Sequence, residues 1–272
     1  MKKFLIVLTI IIAWIIFGIN TSHDVTNYAL TEAQPISEIA AGPKILVLNY
    51  HQIKDGSSDY LAVHIDEFEE QMAYLVDNGY IAITPDALLS ALEGELELPP
   101  KPMLITFDDG YIDNYENAFP ILQKYGLRAT VFIIPAFVGK EGYMDWEHLI
   151  EIEENGITMQ SHTFHHIALE ELPDDGLRVE LLNSKLMLEE KLDHPVDFVA
   201  YPTGTYNLHI AAIAREVGYK GAFTIKYGNV DLGSNLFALE RVPIFQTHTT
   251  MKDFYERINY RQSFEEYGWI KK

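Results

Sequence analysis

The sequence predicts an α/β fold in which helices and parallel strands alternate and close into a single βα barrel. From Lys44 onward, short apolar runs typical of buried strands alternate with stretches of helical periodicity, in roughly seven to eight units. No internal repeat and no second linker interrupt this alternation. The 272 residues, 48% of them hydrophobic, are enough for one large core. An open doubly wound sheet is the alternative arrangement of the same elements.

The N-terminus differs from the rest of the chain. Two lysines precede an uncharged apolar run at residues 4–19, FLIVLTIIIAWIIFGI, which predicts a signal peptide or a membrane anchor over residues 1–20. Residues 21–42 are polar, lack sustained periodicity and are expected to form a linker. The folded domain is then predicted to span residues 43–272. We therefore expect an extracytoplasmic protein, either secreted or attached to the outer face of the cytoplasmic membrane through residues 4–19.

Strand and helix signals follow one another along this domain. KILVLNY opens it as a buried strand, and apolar residues at helical spacing follow at residues 65–76. Thr84 is a predicted N-cap with Pro85 in the first helical position. Further strands are predicted for PMLITF, ATVFII, ITMQS, DFVAY, AFTI and LERVPI. Helices are predicted between them for DNYENAFPILQKYG, DWEHLIEIEENG and residues 173–192 and 210–217.

The charge of the chain argues against one class of partner. Forty acidic residues against 20 basic ones give a net charge of -20 and a pI of about 4.8. Nucleic acid would be repelled over most of such a surface, whereas a neutral glycan would not, and a cationic product would be attracted. Solubility of an exported protein is the other reason for an acidic balance. Because there is no cysteine, a disulfide framework and a lipobox-type lipid anchor are both excluded.

Two adjacent carboxylates lie at the end of a predicted strand. PMLITF runs into TFDDG, which puts Asp108 and Asp109 at the carboxyl end of the strand, where active residues lie in either parallel fold. Like charges this close raise one another's pKa unless a cation or a division of labour separates them. Such a division exists if one carboxylate binds a metal ion and the other acts as a base. A helix N-cap cluster is the alternative interpretation.

Three of the chain's 10 histidines lie in one short segment, QSHTFHHIAL. His162 and His166 are four residues apart just after the strand ITMQS, a spacing that lets two imidazoles converge on one ion. His165 is interpreted as a bystander or as a group behind the ligands. Two histidines and one carboxylate, with water in the open position, are typical of hydrolytic zinc sites. A non-haem iron oxygenase uses a similar set, but no H-x-D or H-x-E sequence occurs near His162.

Together, TFDDG, SHTFHH and AYPTG at residues 200–204 resemble motifs of the polysaccharide deacetylases of carbohydrate esterase family 4, the NodB-homology domain. The resemblance covers roughly residues 44–258. It implies a distorted (β/α) barrel of about seven parallel strands, which removes acetyl groups from N-acetylated sugars with a divalent metal, usually Zn²⁺. It also implies that Asp108 is the general base and that the metal ligands are Asp109, His162 and His166.

Two motifs of this family are altered in the chain. The third motif usually carries an arginine that orients the base, but Ala200 occupies the arginine position and Thr203 an aromatic one. Arg241, in the late strand LERVPI, is our candidate to hold Asp108 instead; a rim arginine paired with surface acids is the alternative. The usual C-terminal L-x-x-H motif is also missing, since the sequence around His248 has neither the spacing nor the leucine.

The first strand offers a replacement for the missing histidine. KILVLNYHQI puts His51 at the barrel mouth and resembles the branch that deacetylates poly-β-1,6-N-acetylglucosamine, in which the motifs are circularly permuted and the catalytic histidine precedes TFDDG. The histidine motif of that branch has one more residue before its second ligand than HTFHH has. Asp145 and Trp146 resemble a Trp-containing segment of similar deacetylases; a helix cap with a packing aromatic is the alternative.

The expected function is hydrolysis of N-acetyl groups on an extracellular or cell-wall polysaccharide, with release of acetate. The expected substrates are a poly-β-1,6-N-acetylglucosamine-like exopolysaccharide or peptidoglycan, and chitin and acetylated xylan are the less favoured alternatives. His51 would protonate the amine, and a backbone N–H near Thr203 would complete the oxyanion site. A catalytically inactive glycan-binding protein on the same fold is the alternative, favoured only by the loss of the arginine in the third motif.

Overall fold

The computed structural model describes residues 44–245 and 251–260. The predicted signal or anchor segment, the linker and His248 lie outside the described residues, and the proposed division of the chain stays a prediction. Within the described part of the chain, no helix is long and apolar enough to cross a membrane.

The strands form one large parallel sheet and one small one. In chain order they are β1 (Leu46–Tyr50), β2 (Gln52–Ile53), β3 (Ala62–Val63), β4 (Ile81–Ala82), β5 (Pro102–Asp109), β6 (Ala129–Ile133), β7 (Ile157–Ser161), β8 (Phe198–Ala200), β9 (Gly221–Tyr227) and β10 (Leu239–Pro243).

Seven of these strands close into a barrel. Their order is β1-β10-β9-β8-β7-β6-β5, and β1 also pairs with β5, so that Leu48 lies between Val242 on one side and Ile105 on the other. The predicted barrel of about seven parallel strands is therefore confirmed, and the pairing of β1 with β5 excludes the open sheet. Two features were not predicted: β4 extends the sheet beside the start of β5, and β2 pairs with β3 in a separate ladder.

Seven α-helices surround or follow the strands. They are α1 (Ile65–Asp77), α2 (Pro85–Leu92), α3 (Phe119–Lys124), α4 (Trp146–Glu154), α5 (Asp174–Leu192), α6 (Leu208–Val217) and α7 (Met251–Ile258), counted over the described residues. The predicted cap of α2 is confirmed, because the Thr84 hydroxyl accepts a 3.2 Å hydrogen bond from the Ala87 N–H.

One predicted helix contains a π-helical turn. DNYENAFPILQKYG forms a π-helical turn, Asn114–Ala118, before α3 begins at Phe119. The helix continues through this turn, because the Phe119 N–H donates to the Asn114 carbonyl, and Pro120, which has no N–H to donate to the carbonyl four residues earlier, lies just after it. The predicted helix is therefore confirmed, whereas its π-helical turn was not predicted; side chains of this turn contact the segment that follows β1.

The barrel interior is apolar toward the amino ends of the strands and charged at their carboxyl ends. Along β5, alternate side chains share a face, so Leu104, Thr106 and Asp108 point the same way. Leu104 belongs to a buried cluster that also contains Phe132 and Phe223, whereas the neighbours on the other face of β5 pack in the main core between the strands and the helices. The interior row therefore ends in a buried carboxylate.

Candidate active site

The carboxyl ends of the barrel strands gather the six residues predicted for the site. Register explains part of this arrangement, because Tyr50 at the end of β1 pairs with Phe107 of β5, and Ile133 at the end of β6 pairs with both Asp109 and Ser161. Contacts shorter than or equal to 4.0 Å link the predicted residues into two neighbouring groups, namely His51, Asp108 and Arg241, and Asp109, His162 and His166.

Arg241 holds the carboxylate of Asp108 with two parallel hydrogen bonds. Its Nη1 and Nη2 donate to Oδ1 and Oδ2 at 2.7 Å each. Two further donors are also used, because Nε donates to the Thr224 carbonyl at 2.8 Å and Nη1 to the Thr106 hydroxyl at 3.2 Å. Arg241 has no exposed surface and Asp108 is 2% exposed. Arg241 is therefore an interior residue, not a rim arginine, and it fixes the plane of the carboxylate.

The environment of Asp108 keeps its carboxyl group ionised. Burial raises its pKa, but the positive charge and the hydrogen bonds of Arg241 outweigh burial and bring the pKa well below its usual range. The pKa of the neighbouring Asp109 is shifted in the opposite direction. Burial is the largest influence on Asp109 and raises its pKa to about 6.

Asp109, His162 and His166 form a group that fits a metal ion. Their candidate ligand atoms lie within 4.8 Å of one another, and within the described residues no other group of three such side chains does so. Oδ1 of Asp109 is 3.5 Å from Nε2 of each histidine. Ligand bonds of ~2.0–2.1 Å in a tetrahedral zinc site separate the ligand atoms by roughly 3.3 Å. The donor set and its spacing therefore fit a divalent ion such as Zn²⁺.

The protonation of His162 suits a metal ligand. Nδ1 lies 2.8 Å from the carbonyl oxygen of Ala200, which can only accept, so Nδ1 carries the proton and Nε2 faces the group with a free lone pair. Burial lowers the pKa of His162 to about 3, and burial also lowers the pKa of His166. The sequence did not predict this role of Ala200, because every residue type has a backbone carbonyl.

Backbone geometry is unusual throughout this group. Four of the five non-glycine residues with positive φ in the described chain belong to the site motifs: Asp109 (76°), Thr163 (62°), His166 (62°) and Thr203 (57°). Non-glycine residues in this region cost on the order of 1–3 kcal/mol and persist where the surroundings require them. The chain thus accepts strain to turn both Asp109 and His166 toward the same point.

His165, the third histidine of the segment, does not belong to the metal group. Its backbone N–H donates to Glu180 of α5, and its Nδ1 lies 3.0 Å from the other oxygen of that carboxylate. Glu180 is 4% exposed, so a buried carboxylate holds the loop that carries His166. The interpretation of His165 as a group behind the ligands agrees with this geometry, whereas Glu180 was missed because its partner comes from tertiary packing.

His51 lies close to Asp108. Its Nε2 is 4.0 Å from Oδ2 of Asp108, which is too long for a hydrogen bond, and its Nδ1 is buried with no hydrogen-bond partner among the described residues. The side chain is 13% exposed, so it is reachable from the barrel mouth.

Two further predictions concern the surroundings of the site. The Asp145 side chain accepts a 3.0 Å hydrogen bond from the His148 N–H at the start of α4, and Trp146 packs against the core, which is the helix-cap alternative. The oxyanion role of a backbone N–H near Thr203 stays a prediction.

Comparison with known proteins identifies the family. A sequence profile described as "Polysaccharide deacetylase" matches residues 95–222. YxkH of Bacillus subtilis (strain 168), provisionally named a polysaccharide deacetylase, is 35% identical over 201 residues, which cover 74% of this chain and 71% of YxkH. The chain belongs to the polysaccharide deacetylase family. The poly-β-1,6-N-acetyl-D-glucosamine N-deacetylase of Staphylococcus aureus (strain MSSA476) is 25% identical over 227 residues, covering 73% of this chain and 78% of that protein.

A solved structure agrees with this assignment. The deacetylase PplD of Streptococcus pyogenes, solved in complex with acetate, superposes with a TM-score of 0.75 at 29% identity, covering 80% of this chain and 99% of PplD. This polysaccharide deacetylase is thus an enzyme related to poly-β-1,6-N-acetylglucosamine deacetylases. The inactive glycan-binding alternative loses its one supporting feature, because Arg241 supplies the guanidinium that the third motif lacks.

The ion pair leads to a prediction about stability. Arg241→Gln should lower the free energy of unfolding by about 3–5 kcal/mol, because it leaves a buried carboxylate without a counter-charge. In an Asp108→Asn background the same change should cost clearly less, since no buried negative charge remains. Urea unfolding of the two single variants and the double variant measures the difference. Additive effects would show that the two side chains do not depend on each other.

Proposed function

We propose that this polysaccharide deacetylase uses a divalent ion, Zn²⁺, to remove N-acetyl groups from an extracytoplasmic polysaccharide that contains N-acetylglucosamine. The single observation that carries the proposal is the contrast between the two adjacent carboxylates. Asp108 is bound at both oxygens by Arg241, whereas Asp109 faces two histidines whose Nε2 atoms are 3.5 Å from its Oδ1. One carboxylate is thus equipped as a base and the other as a metal ligand.

Amide hydrolysis requires an activated water, stabilisation of the oxyanion and a proton for the leaving amine. Asp109, His162 and His166 would hold the zinc ion, which would supply Lewis acidity to lower the pKa of water and polarise the acetamide carbonyl. Asp108 takes the proton from the attacking water. Because Arg241 lowers the pKa of Asp108, this carboxylate is ionised at neutral pH but is only a weak base, so it needs a water whose own pKa is lowered.

His51 is the proposed acid. The C–N bond breaks only if its electron pair receives a proton, because an unprotonated amide anion is a very poor leaving group. The 4.0 Å separation between Nε2 of His51 and Oδ2 of Asp108 supports this role, since both groups can then reach the same acetamide.

The similarity to the Staphylococcus aureus protein, named for poly-β-1,6-N-acetyl-D-glucosamine, supports an N-acetylglucosamine polymer as substrate. A net charge of -20 supports an uncharged substrate and a cationic product. We propose a poly-β-1,6-N-acetylglucosamine-like exopolysaccharide, with peptidoglycan as the second candidate because both polymers carry the same N-acetyl group.

The apolar run at residues 4–19 supports a location outside the cytoplasmic membrane, in secreted form or attached through this run. Protease treatment of intact cells should degrade an attached protein, and culture medium should contain a cleaved one. A chain that survives protease until the cells are lysed and is missing from the medium would contradict this location.

Purified protein should release acetate from N-acetylglucosamine oligomers when zinc is present. We expect faster release from β-1,6-linked than from β-1,4-linked oligomers and intact peptidoglycan, and loss of activity with a chelator that added zinc restores. Acetate measured by an enzyme-coupled assay decides between the glycans. Release that the chelator leaves unchanged would contradict metal dependence, and a preference for peptidoglycan would favour the second candidate.

The roles of the two carboxylates can be separated by substitution. Asp108→Asn should keep bound zinc while kcat falls by about 10²- to 10⁴-fold, because the base is lost. Asp109→Ala and His166→Ala should lose zinc, as measured by elemental analysis of dialysed protein. His165→Gln is the matched control from the same loop and should keep its zinc. Undiminished turnover in Asp108→Asn would remove it as the base, and unchanged zinc in Asp109→Ala would remove it as a ligand.

A further inference from the structure

The backbone around His51 is held by side chains from the turn that follows β5. Nδ2 of Asn114 donates to the His51 carbonyl at 2.7 Å. Oδ1 of Asp113 accepts from the Ile53 N–H at 3.0 Å, and Nδ2 of Asn117 donates to the Ile53 carbonyl at 2.7 Å. Three side chains within five residues thus bind both ends of the short segment 51–53.

Two of these three side chains are buried and bind each other. Asp113 is 6% exposed and Asn114 is 3% exposed, and Nδ2 of Asn114 also donates to Oδ1 of Asp113 at 3.1 Å. Apolar residues would fill this space without the desolvation that polar groups require. A connected polar network in a buried place specifies one geometry, and π-helical turns such as Asn114–Ala118 occur frequently at functional sites.

The imidazole of His51 has little else to fix its position. Its Nδ1 has no partner in the described chain, and its Nε2 is 4.0 Å from Asp108. A ring without hydrogen bonds takes its position from its backbone and its packing. The side chains that bind this backbone lie at residues 113–117, shortly after Asp108 at the end of β5, so one short segment carries Asp108 and holds the backbone of His51.

We propose that Asp113, Asn114 and Asn117, here called the His51 clamp, are positioning residues for protonation of the leaving amine. The proposal rests on the proposed role of His51 as the acid. The clamp does not touch the substrate; it holds the backbone from which His51 reaches the nitrogen.

A change of leaving group isolates this step. When the C–N bond of an acetamide breaks, its electron pair stays on nitrogen, which takes a proton from Nε2 of His51. When 4-nitrophenyl acetate is hydrolysed by the same site, the C–O bond breaks and 4-nitrophenolate leaves without a proton. Displacement of His51 should therefore slow hydrolysis of the amide and spare hydrolysis of the ester, whereas general damage to the site should slow both.

The test compares both substrates in the zinc-loaded full chain. For Asn114→Ala and Asp113→Ala, kcat for an N-acetylglucosamine oligomer should fall about 10- to 100-fold, as for a reacting group displaced by about 1 Å. The rate with 4-nitrophenyl acetate should stay within about twofold, and zinc content should not change. Asp113→Asn should keep more amide activity than Asp113→Ala, because its Oδ1 still accepts from the Ile53 N–H.

Two further variants complete the comparison. His51→Asn should show the same selective loss, and Asn155→Ala, which removes a 2.8 Å side-chain bond to the Glu151 carbonyl at an exposed helix end, should change neither rate. Equal losses on both substrates in the clamp variants, or no loss on the amide, would overturn the clamp. If His51→Asn changed amide and ester hydrolysis to the same extent, the role of His51 would be overturned, and the clamp with it. Absence of acetate release by the unaltered chain would instead contradict the proposed function.

Discussion

The arrangement of the site depends on the buried ion pair between Asp108 and Arg241. Two opposite charges inside a barrel are stable only with good geometry and satisfied hydrogen bonds, because moving each out of water costs on the order of several kcal/mol. The pair joins β5 to β10, which are not neighbours in the sheet, since β1 lies between them. It can therefore form only in the closed barrel. The same closure that completes the sheet provides Asp108 with its guanidinium partner.

In the closed barrel, the pKa values of the adjacent residues Asp108 and Asp109 are shifted in opposite directions. Strand alternation points Asp108 into the barrel, where Arg241 lowers its pKa, while a positive φ of 76° turns Asp109 toward the histidines, and burial raises its pKa to about 6. Without a cation, Asp109 is the costlier of the two to ionise. An ion bound there would therefore complete the electrostatics of the site and would explain why two acidic residues tolerate this proximity.

Sequence patterns predicted the barrel and the residues of the candidate site because both depend on residue types at fixed spacing. The alternation of strands and helices predicted about seven strands, and TFDDG with HTFHH predicted the carboxylates and histidines that the structure brings together. Other features have no such signature. The Ala200 carbonyl is a backbone group, and Glu180 meets His165 only through tertiary packing. The π-helical turn was hidden in a helical pattern, although Pro120 could have indicated an irregular hydrogen-bond pattern there.

The position of His51 early in the chain follows from the same geometry. A closed barrel has no first strand, so a residue at a given place beside Asp108 can come from either end of the sequence, provided that its strand pairs with the correct neighbours. Here β1 pairs with β5 on one side and with β10 on the other. A histidine after β1 therefore reaches the carboxylate at the end of β5 without any contribution from a C-terminal motif. Circular permutation of the motifs changes the order along the chain but leaves the neighbours in space unchanged, and catalysis depends on the neighbours.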